Sequence, residues 1–452
     1  MFWNAELIEK YNLAGPRYTS YPTAPQFNAK ISKITLIEKM LEPSARPLSL
    51  YFHIPFCAHL CYYCACNKII TKQYQKGTEY VELLCEEIRL RSLVMHTRQT
   101  VSQLHFGGGT PTFLSIESFK TLFECIHQYF DLLTDDSGDY SIEIDPREID
   151  LEKLTYLRQL GFNRLSLGIQ DFDATVQQAI HRIQTPELVS EVLQQARALG
   201  FHSINFDLIY GLPHQTLKSF DKTLEQVIAM NPDRLSVFNY AHLPERFTPQ
   251  KRILEKDLPS AATKLALLKH TIERLTDAGY VYIGMDHFAR PNDSLAIAQQ
   301  EQQLQRNFQG YTTHADCDLI AFGTSAIGQF DGTYVQNHVE LERYRNSIEH
   351  GQLAIMKGYI STQDDKIRQT IIMTLICHFE LDTKQIENTF DLVFSDYFSH
   401  EMKQLAELEK DGILTFSDHK IQVTPSGKLL IRCVCMIFDA YLTNNITYSK
   451  VI

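Results

Sequence analysis

The chain lacks the features that direct a protein to a membrane, to nucleic acid or out of the cell. Its first seventeen residues include four charged side chains, so they contain no apolar signal-peptide core. The longest apolar stretch, Leu429 to Leu442, is interrupted by two charged residues and is too short to cross a bilayer. The formal net charge of −11 opposes nonspecific binding to nucleic acid or anionic lipid. We expect a cytoplasmic protein with no membrane and no nucleic-acid partner.

Cysteine is too sparse for a disulfide framework, because only ten cysteines occur in 452 residues. The sequence also lacks low-complexity tracts, and its 44% apolar and 21% charged residues are typical of globular proteins. The glycine run at 107–109 matches neither a P-loop nor the G-x-G-x-x-G dinucleotide fingerprint. A chain of this length exceeds one ordinary domain and can bury a large core.

Four of the ten cysteines lie within ten residues. Cys57, Cys61 and Cys64 follow C-x-x-x-C-x-x-C spacing, and a fourth thiol comes two residues later. Three thiolates ligate a four-iron cluster incompletely and leave one iron open to another ligand. Zinc is an alternative, with His53 and His59 nearby as ligands, and unligated core thiols are another. The spacing favours an iron–sulfur cluster.

Short apolar runs alternate with amphipathic helical patterns over about 190 residues. One such helix is predicted to begin at Pro186, with Thr185 as its N-cap, and to end at Gly200. Six β–α units require a parallel sheet wound in one sense, because crossovers are right-handed. An open six-stranded sheet and a partial barrel both satisfy this pattern. The predicted strands are Leu48–Ile54, Ser102–Phe106, Tyr140–Asp145, Arg164–Gly168, Ser203–Ile209 and Arg234–Asn239.

Polar residues and glycines follow the predicted strands at their carboxyl ends, where parallel sheets collect their functional groups. Asp207 lies inside an apolar run, and a buried carboxylate is costly unless it is paired or meets a ligand. Convergence at six strand ends predicts one large site. The residues at these ends include the loop that carries Cys57, Cys61, Cys64 and Cys66 (the cysteine loop), Gly107–Gly109, Glu143, Asp145, Gln170, Asp171, Asp207, Ala241 and His242.

The pattern changes after about residue 330. Helices near 365–379 and 396–411 precede two short strands at 413–416 and 421–424, and a last helix begins near Pro425. Helices followed by a hairpin and a helix are typical of a winged-helix variant. We expect three consecutive parts: an N-terminal arm (1–35), an α/β barrel domain (36–330) and a small, mostly helical, winged-helix-like domain (331–452).

The cysteine motif resembles the signature of the radical S-adenosylmethionine (SAM) enzymes. The sequence segments around it resemble the oxygen-independent coproporphyrinogen III oxidase family, from about residue 11 to the terminal YSKVI. This resemblance selects a partial (β/α)6 TIM-like radical SAM barrel. These segments are GPRYTSYPTA (15–24), YFHIPFC (51–57), CNKI (66–69), HFGGGTPT (105–112), IEIDPRE (142–148), GFNRLSLGIQDF (161–172), DLIYGLP (207–213), NPDRLSVFNYAHLP (231–244), GMDHFARP (284–291) and RNFQGYTT (306–313).

The resemblance implies a [4Fe-4S] cluster on Cys57, Cys61 and Cys64, with SAM on the fourth iron. A fourth protein ligand would close that iron, so we place Cys66 beside the substrate and not on the cluster. Cys66 and Tyr51 are the expected catalytic residues. Two departures are Ala65, where relatives commonly have Gly, and Tyr63, where they often have Phe. The resemblance implies one SAM at Tyr51, Gly107, Glu143, Ala241 and Ile327, and a second at Tyr63, Gly108, Gly109, Gln170, Arg182 and Asp207.

The implied reaction belongs to haem biosynthesis. A 5′-deoxyadenosyl radical would remove hydrogen from the ring A and B propionates of coproporphyrinogen III, and loss of carbon dioxide would leave the vinyl groups of protoporphyrinogen IX. A reduced flavodoxin- or ferredoxin-type protein would donate electrons to a monomeric enzyme. Arg17 and Arg290 are candidates for contact with the tetra-anionic substrate.

Three other functions share parts of these patterns. A haem-carrying chaperone has the cysteine motif and the barrel, but such relatives generally lack the RYTSYPTA-like arm and the CACN thiol found here. Another radical SAM reaction, such as RNA modification or haem ring opening, is a second alternative, although the net charge weakens the RNA version. A structural-zinc interaction protein is the third.

Overall fold

The computed structural model describes residues 3–94, 99–314 and 316–442 and divides into two compact units. We call Asn28–Ala278 with Asp316–Tyr359 the barrel unit. The terminal unit comprises Met1–Phe27, Gly279–Ala315 and Ile360–Ile452. The three consecutive parts expected from sequence do not coincide with these units. Apolar residues from 279–315, such as Ile283 and Leu295, share one core with the C-terminal helices, so this segment groups with the chain ends.

Seven parallel strands form the centre of the barrel unit: β1 (Leu48–Ile54), β2 (Thr100–Gly108), β3 (Asp139–Ile144), β4 (Arg164–Gln170), β5 (Ser203–Tyr210), β6 (Arg234–Asn239) and β7 (Asp318–Phe322). Their spatial order is β6-β5-β4-β3-β2-β1-β7. The six strands predicted from sequence are confirmed, each within two residues at either end. The seventh was not predicted, because its five buried residues show no alternation and no β–α unit introduces it.

Three further strands extend the sheet beyond β7: β8 (Ile327–Phe330) and β9 (Thr333–Asn337), which pair antiparallel, and then β10 (Ile355–Ile360). Local signals begin the helices; the Thr185 hydroxyl accepts a hydrogen bond from the Leu188 amide, as predicted for an N-cap. The helices of this unit are Lys33–Met40, Gln75–Ser92, Ile116–Tyr129, Leu151–Gln159, Ala174–Ala179, Pro186–Ala198, Leu217–Met230, Ala261–Asp277 and Leu341–Glu349.

Aromatic packing and one hydrogen bond fix the carboxyl end of β1. The ring of Phe52 stacks between Phe106 on β2 and Phe322 on β7, each at 4.8 Å between ring centroids. Tyr80, on the helix that follows the cysteine loop, donates a hydrogen bond from its hydroxyl to the His53 carbonyl at 3.0 Å. The start of the cysteine loop is therefore held by both the sheet and a helix.

The terminal unit has the helix–hairpin–helix pattern expected of a winged-helix variant. Lys420–Val423 is the central strand of a three-stranded sheet with Glu380–Asp382 and Leu414–Ser417. The helix expected near Pro425 begins as a 3-10 turn at Gly427–Leu430 and continues as Ile431–Ile437. The other helices are Ala5–Tyr11, Ser294–Gln300, Gln363–His378, Thr383–Phe390, Phe394–Tyr397 and Ser399–Lys410, and the other strands are Val281–Gly284, His287–Ala289, Gln305–Asn307 and Gly310–Thr312.

Across the three described ranges, no helix is both long enough and apolar enough to span a bilayer. The terminal segment YSKVI lies outside the described residues.

Candidate functional site

The cysteine loop follows β1 and is closed by a short parallel pairing. Phe56–Cys57 pairs with Ile69–Ile70, and the Thr71 amide donates a hydrogen bond to the Cys57 carbonyl at 3.0 Å. Residues 58–68 are thereby held as a loop with a fixed base. Cys57 and Cys61 are buried, Cys64 is half-buried and Cys66 is exposed.

A cavity of about 260 Å³ brings this loop together with the carboxyl ends of β2 to β5. Tyr51 and Gly107 lie next to its lining: Tyr51 stacks on His105 at 5.7 Å, and a Cβ on Gly107 would be 3.0 Å from the Glu143 carboxylate. Ala241 and Ile327 do not line this cavity. The predicted site residues that line it are Cys57, Cys61, Tyr63, Cys64, Cys66, Gly108, Gly109, Glu143, Gln170, Arg182 and Asp207.

The pKa values of Cys57, Cys64 and Cys66 are shifted in different directions. Burial raises the pKa of Cys57 to about 12, although the Thr110 hydroxyl donates to its sulfur at 3.4 Å. A hydrogen bond from the Cys66 thiol lowers the pKa of Cys64 to about 6, and the Lys68 ammonium acts in the same direction. The same hydrogen bond raises the pKa of Cys66.

The side chains around the loop are poorly placed for zinc. Among the described residues, no three His, Cys, Asp or Glu side chains are grouped as ligands of one metal ion. His59 Nε2 lies 2.6 Å from the Glu148 carboxylate, and His53 Nε2 lies 3.0 Å from the Asn67 carbonyl. A four-iron cluster takes each thiolate at a different iron, so its ligands need not converge on one point. The arrangement therefore fits a cluster better than a single zinc ion.

Two arginines and one carboxylate surround the sulfur of Cys61. Asp145 accepts two hydrogen bonds from Arg147, at 2.9 and 2.6 Å, and one from Arg182 at 2.9 Å. Burial by itself would raise the pKa of Asp145, but the two guanidinium groups outweigh it and lower the pKa to about 2. Arg182 and Arg147 also lie 3.6 and 3.8 Å from the Cys61 sulfur. Two positively charged groups therefore lie beside the Cys61 sulfur.

Arg147 was not predicted as a site residue from sequence, although it lies in the segment IEIDPRE. Its signal is its position two residues after a carboxylate that ends a strand. The Asp145 side chain also accepts the Arg147 amide at 3.1 Å, and this turn directs the guanidinium back onto the carboxylate.

The glycines at the end of β2 allow its backbone to approach both the cysteine loop and β3. Gly108 has φ +117°, and a Cβ there would lie 2.7 Å from the His53 ring. A Cβ on Gly109 would lie 2.8 Å from the Phe56 carbonyl oxygen. The Gly108 amide donates a hydrogen bond to Glu143 at 3.1 Å. No side chain fits at these two positions without displacing its neighbours.

Two carboxylates face the cavity in different states. Burial raises the pKa of Asp207 to about 6, and the charge of Glu143 adds to this rise. Burial would also raise the pKa of Glu143, but hydrogen bonding and charge from His105 outweigh it and lower the pKa. Ser166 and Asn205 donate to Asp207 at 3.0 and 2.8 Å. Sequence reasoning missed both donors, although Asn205 stands two residues before Asp207 on the same face of β5.

The remaining predicted residues are placed as follows. Gln170 has φ +65°, and its side-chain oxygen is buried without a hydrogen-bond partner. Ala241 is exposed, and its carbonyl accepts a hydrogen bond from Gln250 at 3.2 Å. In the terminal unit, Arg17 forms an ion pair with Asp286. Arg290, in the same unit, lies over the Tyr280 ring at 3.8 Å.

The sequence matches two family profiles. Residues 51–227 match the radical SAM superfamily, and residues 361–430 match the HemN C-terminal domain. The oxygen-independent coproporphyrinogen III oxidase of Pseudomonas aeruginosa is 52% identical over 454 residues, covering 100% of this chain and 99% of the relative. The oxidase of the same description from Escherichia coli is 50% identical, covering 97% of this chain and 96% of the relative.

The fold matches a solved structure over nearly its whole length. That structure, of the Escherichia coli coproporphyrinogen III oxidase HemN, a radical SAM enzyme, superposes with a TM-score of 0.93 at 48% identity. The match covers 98% of this chain and 100% of the solved chain.

Proposed function

Because this chain belongs to the oxygen-independent coproporphyrinogen III oxidases of the radical SAM superfamily, we propose that the cavity at the cysteine loop is its active site. The chain is accordingly a radical SAM enzyme whose cofactors are a [4Fe-4S] cluster and SAM. Its function is the oxidative decarboxylation of the ring A and B propionates of coproporphyrinogen III, without oxygen, in haem biosynthesis. The observation that carries the proposal is the convergence of the cysteine loop and four strand ends on one cavity.

Cys57, Cys61 and Cys64 are proposed to hold the cluster. When bound, the cluster and SAM would supply a 5′-deoxyadenosyl radical, the agent that removes hydrogen from the substrate. The residues of this chain provide the surroundings. Arg182 and Arg147 place positive charge beside the Cys61 sulfur, and the Thr110 hydroxyl donates to the Cys57 sulfur. The Thr110 hydrogen bond favours the thiolate form of Cys57 that a ligand requires.

The polar groups of the cavity fit SAM. This molecule carries an ammonium group, a sulfonium and two ribose hydroxyls, which require negative charge or hydrogen-bond acceptors. The cavity offers the carboxylates of Glu143 and Asp207 and the unpartnered oxygen of Gln170. The methionyl carboxylate of SAM requires a cation, and the Arg182 guanidinium also reaches the cavity.

Binding of two SAM molecules is part of the proposal. Glu143 and the glycine backbone at 107–109 would receive the first molecule, and Gln170, Arg182 and Asp207 would receive the second. The full proposed sets are Tyr51, Gly107, Glu143, Ala241 and Ile327 for the first, and Tyr63, Gly108, Gly109, Gln170, Arg182 and Asp207 for the second.

Cys66 is proposed to act beside the substrate and not as a fourth ligand. Its thiol lines the cavity and donates a hydrogen bond to Cys64. A thiol in this position holds a proton at the edge of the cluster loop, where a substrate group could meet it. Tyr51 is proposed to assist: its hydroxyl lies 3.1 Å from His53 Nδ1, and burial raises its pKa, so the hydroxyl stays protonated.

The remaining parts of the proposal concern partners and location. Coproporphyrinogen III is the substrate, and a reduced flavodoxin- or ferredoxin-type protein supplies electrons to a monomeric enzyme. A cytoplasmic location suits the clustered thiols, which must stay reduced to bind iron.

The experiment that tests this function is anaerobic reconstitution with iron and sulfide, followed by incubation with SAM, a reductant and coproporphyrinogen III. Product with vinyl groups, together with 5′-deoxyadenosine, is the expected result. SAM cleavage without tetrapyrrole turnover would point to a different radical reaction. Haem binding without SAM cleavage would point to a haem carrier, and absence of iron and sulfide after reconstitution would point to a zinc protein.

A further inference from the structure

A basic and apolar surface patch begins directly after the cysteine loop. It comprises Ile70, Lys72, Tyr74 and Lys76, and we call it the donor patch. The Ile70 side chain is 41% exposed and the Tyr74 side chain 53% exposed, and both lysines are exposed. Exposed apolar groups ringed by charge are typical of surfaces that bind another protein.

The donor patch is connected to a proposed cluster ligand by one hydrogen bond. Ile70 is the register partner of Cys57 in the short parallel pairing, and the Thr71 amide donates to the Cys57 carbonyl at 3.0 Å. A path from the surface to the Cys57 sulfur therefore crosses a single hydrogen bond and a few covalent bonds. Both thiols are buried, and the guanidinium groups of Arg147 and Arg182 lie against the sulfur of Cys61.

The charge of this segment is opposite to that of the whole chain. Residues 58–78 contain three lysines and no aspartate or glutamate, whereas the chain carries a net charge of −11. Lys68 is engaged with the Cys64 carbonyl at 2.9 Å. Within the described residues, Lys72 and Lys76 have no carboxylate at ion-pairing distance. The first carboxylate after the segment, Glu79, is paired with Arg345 at 3.7 Å.

The aromatic residue of the donor patch is already held in place. The Tyr74 ring stacks on Phe113 at 4.8 Å, and Phe113 packs against Phe56 at 5.3 Å. A ring fixed in this way loses little conformational freedom when a partner covers it, which favours binding. Phe56 precedes the ligand Cys57, so the same contacts hold the patch against the base of the loop.

We propose that the donor patch docks the acidic one-electron carrier protein that reduces the cluster. The proposal rests on the proposed function, because only a redox cluster needs such a carrier. In the docked complex the reduced carrier loses one electron and the cluster gains it, and no bond is made or broken. Lys72 and Lys76 would attract the carrier, while Ile70 and Tyr74 would supply its apolar contact.

The test compares Lys72→Glu/Lys76→Glu with Lys120→Glu/Lys222→Glu, which changes two exposed lysines on other helices of the barrel unit by the same charge. Each anaerobically reconstituted holoenzyme is titrated with a reduced bacterial flavodoxin at low and high salt to measure binding. The rate of 5′-deoxyadenosine formation is then measured with flavodoxin and, separately, with dithionite as reductant.

We expect the patch variant to bind flavodoxin about tenfold more weakly at low salt, with the difference shrinking at high salt, because two attractive charges become repulsive. Its flavodoxin-driven rate should fall while its dithionite-driven rate stays unchanged. Equal affinity in the two variants, or an equal loss with both reductants, would overturn the donor patch. A wild-type protein that binds no cluster would instead overturn the proposed function.

Discussion

Arg182 donates a hydrogen bond to Asp145 at 2.9 Å while the same nitrogen lies 3.6 Å from the sulfur of Cys61. The second terminal nitrogen of Arg182 donates to the Gly168 carbonyl at 2.6 Å. One side chain thus joins the cysteine loop to the ends of β3 and β4. The site is a connected polar network, in which a change at one residue reaches the others.

The first prediction concerns Arg182→Met, which keeps the volume of the side chain and removes its charge. Arg147 still pairs with Asp145, so the buried carboxylate keeps one positively charged partner. We expect the free energy of unfolding of the metal-free protein to fall by about 1–3 kcal/mol, less than the 3–5 kcal/mol typical of a buried charge left alone.

Anaerobic urea denaturation measures this change. Arg89→Met, which breaks an exposed pair with Glu86 at 2.7 Å, is the control and should cost less than about 1 kcal/mol. Equal losses in the two variants would show that Arg182 contributes no more than a surface pair.

The second prediction concerns the glycine at the end of β2. Gly108→Ala places a methyl group 2.7 Å from the His53 ring on a backbone with φ +117°. Gly310→Ala is a matched control, because Gly310 has φ +118° and nothing within 4 Å of the added carbon. Both variants carry the backbone strain, and only the first also collides with a side chain.

We expect Gly108→Ala to cost about 1–3 kcal/mol more than Gly310→Ala in free energy of unfolding, as overpacking does. It should also weaken SAM binding, because the amide that orients Glu143 moves. Identical unfolding curves for the two variants would show that the His53 ring moves away from the added methyl group at no cost in stability.

The third prediction follows from the raised pKa of Asp207. Its folded-state pKa is about 6, and a carboxyl group in an unfolded chain has a pKa of about 3.9. The folded state therefore binds more protons between these values, so the contribution of this group is fully present below about pH 4 and is lost as pH rises to about 6.

Relative to Asp207→Asn, wild-type metal-free protein should lose up to about 3 kcal/mol of stability between pH 4 and pH 7. Urea denaturation at several pH values measures the difference. Asp221→Asn is the control with the opposite sign, because a hydrogen bond from His270 lowers the pKa of Asp221. Parallel plots of stability against pH for wild type and Asp207→Asn would contradict the raised pKa of Asp207.

The fourth prediction concerns the thiol proposed to lie beside the substrate. Cys66→Ser should keep the visible absorption of the reconstituted cluster and lose turnover, because the hydroxyl can still donate to Cys64 but is a far weaker acid than a thiol. Cys57→Ser is the comparison and should lose the absorption itself. A bleached Cys66→Ser protein would show that this thiol is a ligand.

The sequence by itself determined the units that depend on local rules. Strand positions follow from short apolar runs between polar breaks, and the helix after Thr185 follows from its cap. The cysteine spacing indicated a cluster because ligands only a few residues apart need no long-range fold to meet. Glu143 and Asp207 were found because the ends of parallel strands must share one edge of a sheet.

Tertiary structure alone decided the contacts between residues distant in sequence. Nothing local indicates that Arg182 reaches Asp145, that Gly108 must accommodate the His53 ring, or that residues 279–314 pack with the C-terminal helices. The pKa values of the carboxylates depend on the same contacts, since burial and neighbouring charge set them. Local sequence fixes periodicity and turns, whereas distances across the sheet arise only when the apolar faces are buried together.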